Sequence, residues 1–320
     1  MKRKGGIGVM MKKRTVRQKM QRDFQRGLYN AKRHRIHYLF MLPYTVLFLL
    51  FTVLPVVLSI LLSFTYFNGL EMPIWTGLAN YYKLFLNDDL FITALKNTLV
   101  FAVVIGPGGY ILSFCMAWLL NELPRIQRVL LTILFYAPSI SGAMYMIWQY
   151  IFSGDSQGLA NSLLLQLGMI DSPIQFFKNS AYVVPICMLV MLWMSLGTSF
   201  LALIAGLQGV DRQLYEAGSI DGIRNRWQEL WFITLPVMKE HLMFSAIMSI
   251  TSAFSVGPVI SALAGFPTVD YAAHTIMIHL TDYGSTRFEM GYASAIATLL
   301  FLLMIGSNKL VQKFLSKVGT

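Results

Sequence analysis

The stretch EAGSIDGIRNRWQELWFITLP, residues 216–236, gathers Glu216, Asp221, Arg224, Arg226 and Glu229 into one polar loop. Long uncharged segments, 182–207 and 242–266, flank it on both sides. Outside it the chain is greasy: of 320 residues, 56% are apolar and only 13% are charged. A soluble domain carries about 25% charged residues. The loop is therefore a polar excursion of a polytopic membrane protein.

A transmembrane helix needs about 20 mostly apolar residues. Six runs free of Asp, Glu, Lys and Arg qualify: 38–64, 98–120, 129–152, 182–207, 242–266 and 291–308. The uncharged run between Asp155 and Asp171 is short and broken by Gly158, Asn161 and Gln166, and 271–281 is shorter still. With the N-terminus in the cytoplasm, 22 of the 26 Lys and Arg fall inside; only Lys83, Lys96, Lys178 and Arg287 fall outside. The positive-inside rule then puts both ends and the 216–236 loop in the cytoplasm.

The formal charge of +11 is a local property. Residues 1–37 hold 13 Lys and Arg against one acid, Asp23. A nucleic-acid binder displays its basic residues on a folded surface beside groove-reading elements; a basic arm directly before an apolar span is a topology signal. Val16, Met20, Phe24 and Leu28 recur every fourth residue there, which suits a basic amphipathic helix on anionic lipid as well as a disordered arm. This N-terminus is not expected to be a cleaved secretory signal. Cys115 and Cys187 lie in apolar segments and are expected to be buried free thiols. The aromatic-rich segment 65–97 is expected to hold a short interfacial helix and a turn, with the second span starting at Asn97-Thr98.

No acid or base lies inside any of the six spans, so an ion-driven relay is missing. No GxxxxGK[ST] phosphate loop is present either. Uphill transport would draw its energy from another subunit. The polar groups within the spans are neutral, among them Ser195, Thr198 and Ser199 in the fourth, and Ser249, Thr251, Ser252, Ser255 and Ser261 in the fifth. Such hydroxyls suit a neutral polyhydroxylated ligand, and equally suit close helix packing. His274 and His279 are spaced i, i+5, poor for one helical face, and no nucleophile, paired-carboxylate or metal-ligand pattern appears. No catalytic site, metal or cofactor is expected.

The polar loop, about 208–241, is longer than a helix connection of roughly 2–8 residues. It reads as two short helices. Asp211 caps the first, and Gly218 or Gly222 ends it. Asp221 caps the second, where Ile223, Trp227, Leu230 and Trp231 form one apolar stripe. Pro236 marks the return to the fifth span, and Ala217 with Gly218 leaves a gap where another surface can approach. This is a knob suited to docking, or an amphipathic linker on the membrane.

Glu216-Ala217-Gly218, then Gly222, then Ile233-Thr234-Leu235-Pro236 resemble the EAA loop of ABC importer permeases: E-A-A, three residues, G, nine residues, I-x-L-P. Asp221-Gly222 and Trp227-Gln228 resemble the carbohydrate-uptake branch. So do LPYTVLFLLFTVLPVVLSILLSFT in the first span, GLANYYKLF with NTLVF before the second, and GLANSLLLQLG further on. The resemblance covers about 38–315. Two positions depart from it: the third EAA residue is Gly218, and ten residues rather than nine separate Gly222 from Ile233. The extra residue is expected in the turn after Gly222, with the coupling helix intact.

The resemblance implies an all-α type I importer permease: a basic tail (1–37), a first span with external segment (38–92), a five-span core (93–310) containing the coupling loop, and a C-terminal end (311–320). It further implies a bacterial plasma-membrane protein forming half of a pore for a di- or oligosaccharide. The implied partners are a second permease in a heterodimer, a cytoplasmic ATPase dimer, an extracytoplasmic solute-binding protein and membrane lipid, with no nucleic acid. Glu216, Ala217, Gly218, Asp221, Gly222, Leu235 and Pro236 would couple to the ATPase. Ser195, Thr198, Ser199, Ser249, Ser252 and Ser255 are the candidate substrate pathway. A permease for another solute such as glycerol phosphate, a stand-alone carrier or channel, and a membrane enzyme are the alternatives.

Overall fold

The computed structural model describes residues 35–141 and 144–315; the basic amphipathic helix expected around 16–28 lies outside them. The chain divides into two compact units, Met1–Leu58 and Ser59–Thr320. In the first unit the described residues form α1 (Ile36–Leu62), which runs just past the boundary. Its apolar window has no buried residue, and it is hydrophobic all round, as a lipid-facing helix is. A π turn at Leu49–Val53 stands just before Pro55. Proline has no N–H to donate to the preceding turn, and the helix changes its hydrogen-bond pattern there.

The second unit opens with a two-residue hairpin, β1 (Thr65–Tyr66) against β2 (Ile74–Trp75), antiparallel with Thr65 opposite Trp75. Then come α2 (Ala79–Leu86), the long α3 (Asp89–Asn121), α4 (Arg125–Ile140), α5 (Tyr145–Ile151) and α6 (Leu159–Gln166). They are followed by α7 (Ser180–Met194), α8 (Thr198–Gln208), α9 (Arg212–Ile220) and α10 (Arg226–Glu229). Last are α11 (Lys239–Phe254), α12 (Gly257–Ala264), α13 (Ile276–Thr281) and α14 (Met290–Leu315). Four helices are long and apolar enough to span a membrane, counting α7 and α8 as one; α4 with α5 and α11 with α12 make two further bent pairs. Counting each bent pair as one span gives the expected six, with the fourth also interrupted between α7 and α8.

The breaks follow the sequence. Pro258 sits in the first turn of α12, where its missing N–H costs nothing, and the chain bends 44° between α11 and α12. The fourth span opens at Ser195–Gly197 between α7 and α8. Hydroxyls of neighbouring helices add hydrogen bonds at the break: Ser113 Oγ donates to Ser195 O (3.3 Å), which also accepts from Gly197 N–H (2.8 Å), and Ser245 Oγ donates to Ser199 O in the first turn of α8 (3.1 Å). Broken spans are tolerated in lipid when such groups re-satisfy the backbone.

α3 is the central post, packed against α7, α8 and α11, and α11 in turn packs on α14. Lipid is as apolar as leucine, so close van der Waals contact has to hold helices together. Gly109 supplies it: a Cβ at this position would lie 2.8 Å from Ser195 Cβ. Ala117, Phe200, Leu203, Met238 and Leu242 form the core at the polar-loop end. Leu84, Phe91, Ile276, Tyr292 and Ile296 form the core at the opposite end.

Three expectations are corrected. The second span's helix starts at Asp89 rather than Asn97, because the Asp88 carboxylate accepts the Phe91 N–H (2.9 Å) and caps it there. A hairpin precedes the short helix of the 65–97 segment. Cys187 is buried, but Cys115 is exposed on the outside of α3.

Candidate functional site

The polar loop is built by local capping. Asp211 accepts from the Gln213 N–H (3.0 Å) and starts α9, as its sequence predicts. Glu216 and Ala217 are exposed on that helix, whereas Gly218 is buried. A Cβ at Gly218 would meet Ile233 Cδ1 at 2.6 Å and Ile223 Cδ1 at 3.1 Å. The small-residue gap at Gly218 is therefore already filled by the loop's own isoleucines. α9 ends at Ile220, and Gly222 follows with φ +96°, a left-handed conformation that favours glycine.

The second half of the loop departs from expectation. Asp221 stands at the C-terminal end of α9 and does not cap α10. Asn225 does, accepting from Gln228 N–H (2.9 Å), while Gln228 Oε1 accepts from Arg224 N–H (2.9 Å). This reciprocal arrangement resembles a capping box. α10 has only four residues before a π turn at Leu230–Thr234, closed by Leu235 N–H donating to Leu230 O. Ile223 thus precedes the helix, Leu230 is buried, and Trp227 and Trp231 are exposed, so the expected single stripe does not form. A π turn accommodates one residue more than an α turn. The second helix of the loop is therefore not a regular α-helix but widens over Leu230–Thr234. Leu235 and Pro236 form the half-buried turn leading into α11.

A second feature lies in the helix bundle. Ser195, Thr198 and Ser199, at the break between α7 and α8, face Ser249, Ser252 and Ser255 of α11 and its end across a cavity of about 300 Å³. The six residues of the candidate substrate pathway line this one space, together with Met191, Met194 and Met248, whereas Thr251 and Ser261 do not. Among the described residues no charged side chain lines it. Ser249 is buried, and its Oγ has no hydrogen-bond partner among the described residues. Ser195 Oγ is committed to Leu192 O (2.6 Å). Hydroxyls and thioethers in a cavity of this size can hydrogen-bond and pack a small neutral ligand.

The third feature was not visible in the sequence. At the end opposite the polar loop, His274 Nε2 lies 3.1 Å from His279 Nδ1, and His279 Nε2 lies 3.0 Å from Asp88 Oδ2. The Tyr292 hydroxyl donates to the same carboxylate oxygen (2.7 Å). Burial works against the Asp88 charge, yet the Tyr292 hydroxyl, the Phe91 N–H and His279 hold its carboxyl below the usual range. Burial pushes His279 down, opposed by Asp88, and pushes His274 down to about 4, helped by His279. The i, i+5 spacing argued against a shared helical face, and the two rings indeed meet differently: His274 precedes α13 and folds back onto it.

The comparison with known families decides what this architecture is. Residues 109–317 match the family model described as binding-protein-dependent transport system inner membrane component. The chain belongs to that family. Among relatives of this inner membrane component, the probable ABC transporter permease protein YesP of Bacillus subtilis (strain 168) is 32% identical, covering 83% of this chain and 86% of that protein. The arabinooligosaccharides transport system permease protein AraP of the same organism is 30% identical, with 84% of each chain covered. The lactose transport system permease protein LacF of Rhizobium radiobacter is 28% identical over 83% of this chain and 89% of that one. A crystal structure of a bacterial ABC transporter involved in the import of the acidic polysaccharide alginate contains a similar chain. Its TM-score is 0.75 at 22% identity, covering 92% of this chain and all of that one, which shows the shared fold. The inner membrane component described here is a multi-pass membrane protein of a binding-protein-dependent transporter.

Proposed function

We propose that this inner membrane component is one permease subunit of an ATP-driven importer of a neutral di- or oligosaccharide. The observation that carries the substrate class is the uncharged hydroxyl-lined cavity between the α7–α8 break and α11. An anionic solute such as glycerol phosphate would call for Arg or Lys there, and none of the described residues lining it is either. The names of AraP and LacF point the same way. Ser195, Thr198, Ser199, Ser249, Ser252 and Ser255 line the sugar's path, and the break in the fourth span gives that path a hinge.

The polar loop and both chain ends lie in the cytoplasm, in keeping with the distribution of Lys and Arg. There the loop docks on a separate ATPase subunit. Glu216 and Ala217 present the contact surface; Gly218, Asp221 and Gly222 shape the turn behind it; Leu235 and Pro236 pass its movement into α11. A second permease completes the pore, the ATPase works as a dimer, and an extracytoplasmic solute-binding protein delivers the sugar; the family's description supports the last of these, naming a binding-protein-dependent system. ATP hydrolysis belongs to the partner.

The decisive experiment isolates the binding protein encoded with this permease and titrates it with sugars by calorimetry. Uptake of arabino-oligosaccharides, lactose and glycerol phosphate is then followed in proteoliposomes holding the full complex. ATP-dependent uptake of a neutral sugar supports the reading. Uptake of glycerol phosphate alone, or uptake without the ATPase, overturns it.

A further inference from the structure

The polar loop is joined to the helix bundle covalently, through α8 on one side and α11 on the other. It also has a lateral contact. Arg226 Nη2 lies 2.9 Å from Glu122 Oε2, and Glu122 is the residue that closes α3 before the turn into α4. One residue along, the Trp227 ring meets Trp118 of α3 with centroids 5.3 Å apart. Arg226 is held for this purpose by Glu229 through its other nitrogen (2.9 Å), and the Asn225 cap fixes the start of α10. Arg128 in α4 donates to Asn121 (3.3 Å), so the far side of the same turn is tied as well.

A lone exposed ion pair contributes little stability. Here an ion pair shared by two carboxylates and an aromatic contact converge on one end of α3, and what they fix is position. Their register depends on the π turn. Beyond it, Ile233 is anchored against Gly218, and Thr234 Oγ1 lies 2.9 Å from the Tyr215 hydroxyl. Removing one residue between that anchor and Arg226 would swing Arg226 and Trp227 by about 100° around the helix axis, away from Glu122 and Trp118. The pair borders a cavity of about 820 Å³ that Trp118, Glu122 and Arg128 line from the α3–α4 side and Leu207, Gln208 and Tyr215 from the other.

We infer that Arg226 with Glu122, and Trp227 with Trp118, lash the polar loop to the α3–α4 turn, so that the turn travels with the loop. Displacement of the loop then reaches α3 and α4 directly as well as through α11, and Arg226 and Trp227 are positioning residues for transport. This rests on the coupling reading above.

The test is a distance measurement on the full reconstituted complex. Spin labels go on Ile126→Cys and Ile220→Cys, both highly exposed, in a Cys115→Ser background; Cys187 is fully buried and stays. Co-purification of the ATPase and its trapping by ATP with vanadate are read separately, and failure of either overturns the coupling reading and the lashing together. With both in place, the label distance should be the same before and after trapping. Arg226→Glu should shift or broaden it on trapping, and Arg226→Glu with Glu122→Arg should restore a single distance. Arg226→Glu behaving like the parent, or a parent distance that changes on trapping, overturns the lashing alone.

Discussion

Asp88 and His279 stand 191 residues apart in the chain and meet at 3.0 Å in a site closed to solvent. The contact forces the proton arrangement. An ionised carboxylate only accepts, so His279 carries its proton on Nε2 and offers Nδ1 to His274 Nε2–H. His274 Nδ1 is then a bare acceptor, buried and without a partner among the described residues. A further proton would place a cation in this buried cluster. Asp282, Arg287, Glu289 and Lys83 surround it, with Arg287 paired to Asp282 and Lys83 to Glu289.

The folded state therefore binds fewer protons than the unfolded one between the ordinary His value of 6.5 and about 4. Stability should fall as pH drops through that window and level off for this group below it. Asp88 adds a loss below 3.8, since its folded value is depressed. Thermal unfolding of the detergent-solubilised protein across pH 4–7 checks this. His274→Asn should flatten the slope, while a slope identical to the parent's would show that other groups set it. Tyr292→Phe should lower stability at neutral pH by about 1–3 kcal/mol, having stripped one hydrogen bond from a buried carboxylate.

Gly222 takes φ +96° with open space around it, so substitution there is a backbone effect alone. Gly222→Val should cost about 1–2 kcal/mol locally and reshape the turn between α9 and α10. The variant should stay in the membrane at parental amounts while sugar uptake collapses and ATP hydrolysis runs on unproductively. Unchanged uptake would sink the coupling role of the loop.

Gly218 is the opposite case, ordinary in backbone but crowded in space. Gly218→Ala would drive a methyl group into Ile233, an overpacking that costs roughly 1–3 kcal/mol. Shortening the neighbour should offset it: Gly218→Ala with Ile233→Val is expected to recover most of the lost thermal stability and uptake. Equal loss in the single and double variants would mean the contact is not what constrains position 218.

Ser249 separates packing from transport. A buried hydroxyl without a partner carries a desolvation penalty of about 1–3 kcal/mol, so a purely structural Ser249 would be improved by removal. Ser249→Ala should raise or preserve the melting temperature and at the same time weaken sugar uptake several-fold. Full uptake with raised stability would remove Ser249 from the sugar path.

The membrane class and the six spans were legible because they follow from composition over windows of about twenty residues, and charge within such a window is costly in lipid. The polar loop was legible for the same reason inverted, and its caps at Asp211 and Gly222 are local chemistry. The hydroxyls of the fourth and fifth spans could be named from the sequence, but only the packing of α8 on α11 shows that six of them line one cavity.

What remained hidden depends on residues far apart in the chain or on competition between hydrogen-bond patterns. The start of α3 at Asp89, the joining of Asp88 to His279 and Tyr292, and the fastening of Arg226 to Glu122 each need a partner that no window contains. The π turn at Leu230–Thr234 is subtler: propensity favours an α turn, and the interior contacts of Ile233 and Thr234 hold the far end of the wider turn in place. The sequence by itself determined that the chain spans a membrane, how often, and which loop is polar. Tertiary structure decided where the helices break, which hydroxyls share a cavity and what the loop grips, because those are set by long-range packing in a medium that gives apolar side chains no other reason to choose one neighbour over another.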